Sequence, residues 1–277
     1  MIVDVSIHNG AINWRTAKES GVQGAIIRCG YGRDFTKYDD ANFKANIEGA
    51  LAVGIKVGVY LYSYAKSTES ARSEAQHCLR LVNPYKSRIS LPVYYDLEES
   101  GTESVAKANA LVFGEILEKA GYTVGIYANE YWWNTYLKGL DKYAKWVAKW
   151  GSVKPADPKM ELWQYDAHGR VNGIGSGVDL DKAFGRIEQI INGKDPEEGK
   201  VMVELSVIRK GSKGEEVKTI QRLLKELGYK GENKKVLAVD GSAGSNTIFA
   251  ICNFQRDRGL SVDGVCGSAT WNELLKG

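Results

Sequence analysis

The chain has no run of about 18 apolar residues, so no membrane-spanning helix is expected. Its opening, Met1-Ile-Val-Asp-Val-Ser-Ile-His-Asn-Gly10, has an acid at position 4 and no basic stretch ahead of an apolar core. It does not read as a secretory signal. Cysteine is scarce: only Cys29, Cys78, Cys252 and Cys266 occur, with no Cys-x-x-Cys and no histidine beside them. Zinc spacing is therefore absent, and buried free thiols of a reducing cytosol are expected over disulfides. Histidine is limited to His8, His77 and His168, which leaves little for the clustered ligands of a zinc amidase or the Cys and His pair of a cysteine peptidase. No metal or other cofactor is expected. An excess of one charge is lacking too, since 37 basic against 34 acidic residues give a net +3. A nucleic-acid binder concentrates positive charge to release phosphate counterions, so nucleic acid is not an expected partner, and neither is a membrane.

What is present is ordinary globular material. At 277 residues, with 43% hydrophobic and 26% charged, the chain can build one large domain or two unequal ones. Proline and tryptophan place the division. All five prolines fall at or before Pro196, and six of seven tryptophans at or before Trp163. Between these residues and the C-terminal part runs Asn192-Gly-Lys-Asp-Pro-Glu-Glu-Gly-Lys200, polar and without a large apolar side chain, as an exposed linker requires. The reading is a domain over 1–192, a linker over 193–204 and a second domain over 205–277.

The first part alternates strand-like and helix-like segments. Runs rich in Val, Ile and Tyr stand at Ile2 to Val5, Gly24 to Cys29, Lys56 to Tyr62, Leu91 to Asp96 and Thr123 to Tyr127, with amphipathic segments at Trp14 to Ser20, Phe43 to Val53, Thr68 to Leu81 and Ser104 to Ala120. That alternation predicts a parallel sheet closed into a barrel or doubly wound. Later strands, near Lys145 to Lys149, Glu161 to Tyr165 and Arg170 to Ile174, leave too few residues for crossover helices. An α/β barrel, incomplete, helical early and antiparallel late, is expected.

The second part repeats itself. Val239-Asp-Gly-Ser-Ala-Gly-Ser-Asn-Thr247 and Val262-Asp-Gly-Val-Cys-Gly-Ser-Ala-Thr270 agree at six of nine positions, each an Asp-Gly turn ahead of an apolar-periodic segment. Upstream, Val217, Ile220, Leu223, Leu224 and Leu227 keep helical spacing before Gly228, a C-cap candidate. A small three-helix domain is expected.

Chemistry concentrates in Pro92-Val-Tyr-Tyr-Asp-Leu-Glu-Glu99, an apolar strand ending in acids. Alternation puts Tyr94, Asp96 and Glu98 on one side and Leu97 and Glu99 on the other. Two strand residues span roughly 6.6 Å, close enough for one carboxylate to keep the other protonated as a general acid. The competing reading is a strand running out into a solvated acidic loop; the preceding buried run, where parallel-barrel active sites lie, favours function. Asp4 interrupts an otherwise apolar strand, where a carboxylate needs partners or a role; a local cap is the alternative. Asp179 and Asp181 share a face at the end of the last strand, or one of them caps a terminal helix near Asp181 to Ile191. Tyr60, Tyr62 and Tyr64, then Tyr127 and Trp163, sit where aromatic faces at a barrel rim would stack on sugar rings, although buried aromatics are as often plain core.

Taken together, Asp4-Val-Ser6, Asp40-x-x-Phe43-x-x-Asn46, Gly58-Val-Tyr60, Asp96-Leu-Glu98, Trp163-Gln-Tyr165 and Val178-Asp179-Leu180 resemble glycoside hydrolase family 25, the Chalaropsis-type lysozymes common among phage endolysins. The resemblance covers about residues 1–190. It implies an irregular (β/α)5β3 TIM-like barrel and hydrolysis of the β-1,4 bond from N-acetylmuramic acid to N-acetylglucosamine in peptidoglycan. It implies Glu98 as general acid, with Asp96, Asp4 and Asp179 as acidic partners, and Tyr60, Tyr62, Tyr127, Trp163 and Arg28 as substrate contacts. Two departures touch sugar contacts: the family's Tyr-His-Phe is Tyr60-Leu61-Tyr62 here, and its strand lysine is Arg28. Residues from about 206 to 275 resemble the peptidoglycan-binding domain 1 family through Leu205-x-x-x-Arg209, Gln221, Gly228-Tyr229, Asp240-Gly241, Phe254-Gln255, Asp263-Gly264 and Thr270-Trp271. A tethered anchor would raise the local concentration of an insoluble substrate.

Two further expectations complete the picture. Glu197-Glu-Gly-Lys200 can be encoded by purine-rich codons resembling a ribosome-binding site, which makes Met202 a candidate secondary start. Its product, a separate wall-binding fragment, would associate with the full chain. An enzyme of this kind without a leader is expected in the host cytoplasm until a holin releases it to the wall.

Overall fold

The computed structural model describes residues 1–175, 177–194 and 206–275. They fall into two compact units, Met1–Gly199 and Lys200–Gly277. The expected linker lies largely outside the described residues, as does Met202.

The first unit is a closed barrel of eight strands in sequential order: β1 Ile2–Val5, β2 Gly24–Tyr31, β3 Lys56–Tyr62, β4 Val93–Asp96, β5 Val124–Asn129, β6 Ala144–Ala148, β7 Met160–Gly169 and β8 Val178–Ala183. Helices α1 Trp14–Glu19, α2 Phe43–Ala52, α3 Thr68–Val82, α4 Glu103–Lys119 and α5 Glu130–Thr135 follow the first five strands, and α6 Gly185–Ile191 follows the last. This is the (β/α)5β3 arrangement, with two differences from the sequence reading. Strands β5 to β7 pair in parallel, and only β8 runs antiparallel, to β7 and to β1. The eighth strand is not Arg170 to Ile174 but Val178–Ala183. The earlier segment is a turn held by Gly173 at φ 95°, from which Ile174 makes one isolated bridge to Ile12. Asp179 and Asp181 thus lie within a strand, and the N-cap of α6 is Phe184.

Strand alternation sorts the side chains into two cores. Val3, Val5, Ile27, Val57, Val59, Val93, Tyr95 and Ile126 face outward to the helices, while Ile2, Ile26, Tyr60, Tyr94, Tyr127, Trp146 and Leu162 fill the barrel. Trp146 forms the central plug, its ring 5.0 Å from that of Tyr94, 4.6 Å from Tyr127 and 6.0 Å from Tyr60. Gly125 makes this possible, because a Cβ there would come within 2.3 Å of the Tyr94 ring. Outside the barrel, the wholly buried Glu74 of α3 ties down the ends of β3 and β4, accepting from Ser63 Oγ at 2.8 Å, Tyr95 Oη at 2.5 Å and the Tyr64 amide at 2.9 Å.

In the second unit, α7 Glu215–Glu226, α8 Ser245–Asp257 and α9 Ser268–Leu274 enclose a core of Val217, Ile220, Leu224, Ile251, Phe254 and Trp271. The sequence repeat has a physical basis. Buried Gln221 on α7 donates to Asp240 Oδ1 (2.8 Å), Ser242 O (3.0 Å) and Thr247 Oγ1 (3.1 Å), and accepts from the Gly241 amide (2.9 Å). Gln255 on α8 does the same with Asp263 (2.8 Å), Val265 (3.0 Å), Thr270 (3.1 Å) and the Gly264 amide (3.0 Å). Each glutamine pins one Asp-Gly turn, whose glycine takes the left-handed conformation, φ 74° at Gly241 and 68° at Gly264. Gly228, at φ 84° just beyond α7, closes that helix.

Candidate active site

The C-terminal ends of the parallel strands open into a cavity of about 340 Å³. Because β8 is antiparallel, its N-terminal end reaches the same rim, where Asp179 lies opposite Asp4. Asp4 from β1, Arg28 from β2, Tyr60 and Tyr62 from β3, Asp96 from β4, Glu98 just beyond it, Tyr127 from β5 and Asp179 all line this cavity. The structure brings together the four acids expected to be catalytic, Asp4, Asp96, Glu98 and Asp179, along with four of the five expected substrate contacts.

Trp163 is the exception, and a correction. It belongs to the outward-facing core, its Nε1 donates to Lys149 O at 2.8 Å, and it lines a separate cavity with Met1, Tyr165 and Lys182. Alternation along β7 turns the next residue, Gln164, inward instead. Gln164 is a connector that sequence reasoning did not pick out: its Nε2 donates to Asp4 Oδ2 at 2.9 Å, and its Oε1 accepts from Tyr127 Oη at 3.0 Å and Trp150 Nε1 at 3.1 Å. Its place within Trp163-Gln-Tyr165 was the available signal.

Arg28 is oriented by Asp40, whose Oδ2 accepts its Nε at 2.8 Å and also the Ile7 amide at 2.9 Å, with the Asn42 amide on Oδ1 at 2.9 Å. Asp40 of the Asp40-x-x-Phe43 motif is thus a holder of the site's cation. Tyr62 Oη donates to Glu99 Oε2 at 2.9 Å. Glu99 therefore does not turn wholly away, since β4 ends at Asp96 and strict alternation ends with it, while Leu97 does face the outer core.

Electrostatics divide the acids into layers. Asp4 is 5% exposed and Asp96 4%; burial pushes both carboxyls well above the usual range. For Asp4 the charges of Asp181 and Asp179 add to the rise while Gln164 opposes it; for Asp96 the Glu98 charge adds and Arg28 opposes. Among the described residues no donor reaches Asp96 Oδ1. Glu98 opens to solvent through the cavity mouth yet is walled by the cavity's atoms. Desolvation raises its carboxyl first, Asp179 and Glu99 add to it, and the Tyr127 hydroxyl pulls it down. Asp179 is raised by burial as well. Burial and mutual repulsion both work against ionising all of these acids together, so the cluster favours holding protons, with Glu98 the member most open to the mouth. A protonated carboxyl facing a cavity, backed by carboxylates, is the equipment for cleaving an acetal: one group protonates the leaving oxygen and the others stabilise the cation left behind.

Residues 3–174 match the family described as glycosyl hydrolases family 25. The chain belongs to that family. It is a glycoside hydrolase, and its residues 213–274 match a peptidoglycan binding domain family. The chain is similar along 97% of its length to the autolytic lysozyme of Clostridium acetobutylicum, 29% identical over 274 residues and covering 76% of that protein. The crystal structure of the lysozyme from Streptomyces coelicolor matches 69% of this chain and 96% of its own, at 28% identity and a TM-score of 0.60. The catalytic domain of endolysin ply40, from a bacteriophage of Listeria monocytogenes, matches 69% of this chain and 96% of its own at 26% identity and a TM-score of 0.55. The family 25 match and the acid-lined cavity fall in the same unit of the chain.

Proposed function

We propose that this family 25 glycoside hydrolase is a muramidase that cleaves the β-1,4 bond from N-acetylmuramic acid to N-acetylglucosamine in peptidoglycan, with Glu98 as its general acid. The observation that carries this reading is the convergence of Asp4, Asp96, Glu98 and Asp179 on one cavity, with Glu98 the most exposed of the four. In this account Glu98 gives its proton to the leaving oxygen and then takes one from water. Asp96 and Asp179 stabilise the oxocarbenium-like charge or orient the acetamido group, and Tyr60, Tyr62, Tyr127 and Arg28 hold the sugars. Outside the cavity the ring of Tyr62 continues through Tyr64 (5.0 Å) and Tyr31 (6.1 Å), so aromatic surface for a longer glycan leads away from it. The second unit tethers the enzyme to the wall.

The test is digestion of purified peptidoglycan. Wild type is expected to release new reducing ends on N-acetylmuramic acid and no free amines; Glu98→Gln should lose roughly 10²- to 10⁴-fold of that rate. Free amines would mean an amidase or peptidase, and an equally active Glu98→Gln would remove Glu98 from its role.

The biological setting is also a proposal: the enzyme waits in the host cytoplasm until a holin gives it the wall, and a second start at Met202 supplies an anchor fragment that joins the full chain. An autolytic lysozyme and a phage endolysin are both among the proteins it resembles, so an autolysin of the same chemistry is the alternative. One experiment reads both ideas. Expression with and without a co-expressed holin, blotted for the anchor, should show lysis only with the holin and a short band that Met202→Ala removes. Lysis without a holin defeats the first idea. A band that persists in Met202→Ala defeats the second and points to cleavage at the acid-labile Asp195-Pro196 bond.

A further inference from the structure

The barrel holds a fifth acid that the scheme above does not use. Asp181 on β8 is 2% exposed, opposite Ile2 of β1 and Gln164 of β7, one inward step below Asp179. Its Oδ1 accepts the indole N–H of Trp146 at 2.7 Å. Among the described residues no donor reaches its Oδ2. The neighbour in hydrogen-bonding contact is another carboxyl, that of Asp4, which has the Gln164 amide on its own Oδ2. Two carboxylates pressed together in a closed interior would repel strongly and leave a buried oxygen unsatisfied. A single proton held between them removes both penalties.

We propose that Asp181 is a positioning residue that shares one retained proton with Asp4 in a carboxyl–carboxylate hydrogen bond, fixing the orientation of Asp4 on the wall of the catalytic cavity. The hydrogen bonds form one line from the barrel plug to the substrate side: Trp146 to Asp181, Asp181 to Asp4, with Gln164 clamping Asp4 from β7 and reaching on to Tyr127. The titratable groups around Asp181 are consistent with a retained proton. They are Asp4 on β1, Asp179 on its own strand, the Tyr94 hydroxyl on β4 and Tyr165 on β7. Behind it, Asp181 shares the lining of the separate cavity with Met1 and Lys182. Burial first, and then the Asp179 charge, push its carboxyl up to about 8 against the pull of Trp146 and Asp4. Asparagine at this position could reproduce the arrangement, its oxygen accepting from Trp146 and its amide donating to Asp4, whereas leucine could do neither.

The proposal rests on the muramidase reading and is tested by comparing variants of the full-length enzyme on soluble peptidoglycan fragments. Asp181→Leu should lower kcat roughly 10- to 100-fold with little change in KM, as a misplaced catalytic group does, and Asp181→Asn should recover most of that loss. Carbon-13 NMR of aspartate side-chain carboxyls in the wild type should show one protonated carboxyl of this pair persisting at pH 7, and Asp181→Asn should lack it. Asp181→Asn as inactive as Asp181→Leu, or both carboxyls ionised at pH 7 in the wild type, would overturn the proposal. The NMR and the Asp181→Asn result decide the matter even where Asp181→Leu does not fold. A wild type that releases no reducing ends would instead defeat the muramidase reading itself.

Discussion

The barrel and the anchor put the same residue type to opposite use. In the barrel, Asp4, Asp96, Glu98, Asp179 and Asp181 are raised above the ordinary carboxyl range, and burial is the first cause for each. In the anchor, the exposed Asp240 and Asp263 are lowered, because each accepts a backbone amide, from Ser242 and Val265, and then a glutamine side chain. The two aspartates of the anchor settle in their charged state and hold turns. Those of the barrel are pushed away from theirs, which costs stability and favours a held proton where a glycosidic bond would sit. What an acid does here is decided by what surrounds it; its identity alone does not distinguish a turn holder from a catalyst.

The largest effect that could break this contrast is the one on rate. Glu98→Gln should nearly abolish hydrolysis while leaving the barrel's melting temperature unchanged or higher, since removing a strained ionisable group does not remove a structural contact. A large fall in stability would mean that Glu98 is structural in the way Asp240 is. Next comes the reverse experiment in the anchor. Gln255→Ala strands the Gly264 amide and the Val265 carbonyl and removes a buried side chain that makes four hydrogen bonds, at a cost of about 3 kcal/mol. The anchor's unfolding, followed by hydrogen exchange in the full chain, should shift by that order, and kcat on soluble fragments should not move. A change in kcat would show that the anchor does more than tether.

Much of this contrast was legible in the sequence, and the limits of what was legible have physical causes. Asp96 and Glu98 could be found because an apolar strand that ends in acids has few structural uses, and Asp4 because it breaks an apolar run. The anchor's repeat was visible in the two Asp-Gly turns, but Gln221 and Gln255, which make those turns rigid, lie 19 and 8 residues from the aspartates they hold and have no periodicity of their own. Trp163 is expected among the substrate contacts, but the structure sets it in the outward-facing core and turns its neighbour Gln164 inward. A strand's alternation tells which residues go together, and only its register with β6 and β8 tells which set faces inward. The valine and isoleucine within Arg170 to Ile174 give that segment a strand-like look, while Gly173 bends it into a turn. For Asp181 the sequence indicates only a face shared with Asp179 or a helix cap; its contact with Asp4 is made across two antiparallel strands that meet only when the barrel closes.

The smallest effect, and the most direct, is read from the acids themselves. It also fixes a sign. Asp181 is raised, so its contribution to stability is fully present below the unfolded aspartate value of about 3.9 and is lost as the pH rises toward about 8. Asp240 and Asp263 are lowered, so theirs is present above about 3.9 and is lost as the pH falls through their depressed values. A carbon-13 titration of side-chain carboxyls in the full-length chain, with Glu98 assigned through Glu98→Gln, measures both groups in one sample. The account predicts Glu98 and Asp181 titrating above the ordinary carboxyl range and Asp240 and Asp263 below it. A Glu98 that titrates at or below the ordinary glutamate value of about 4.3 would contradict it, because the group at the cavity mouth would then hold no proton to give.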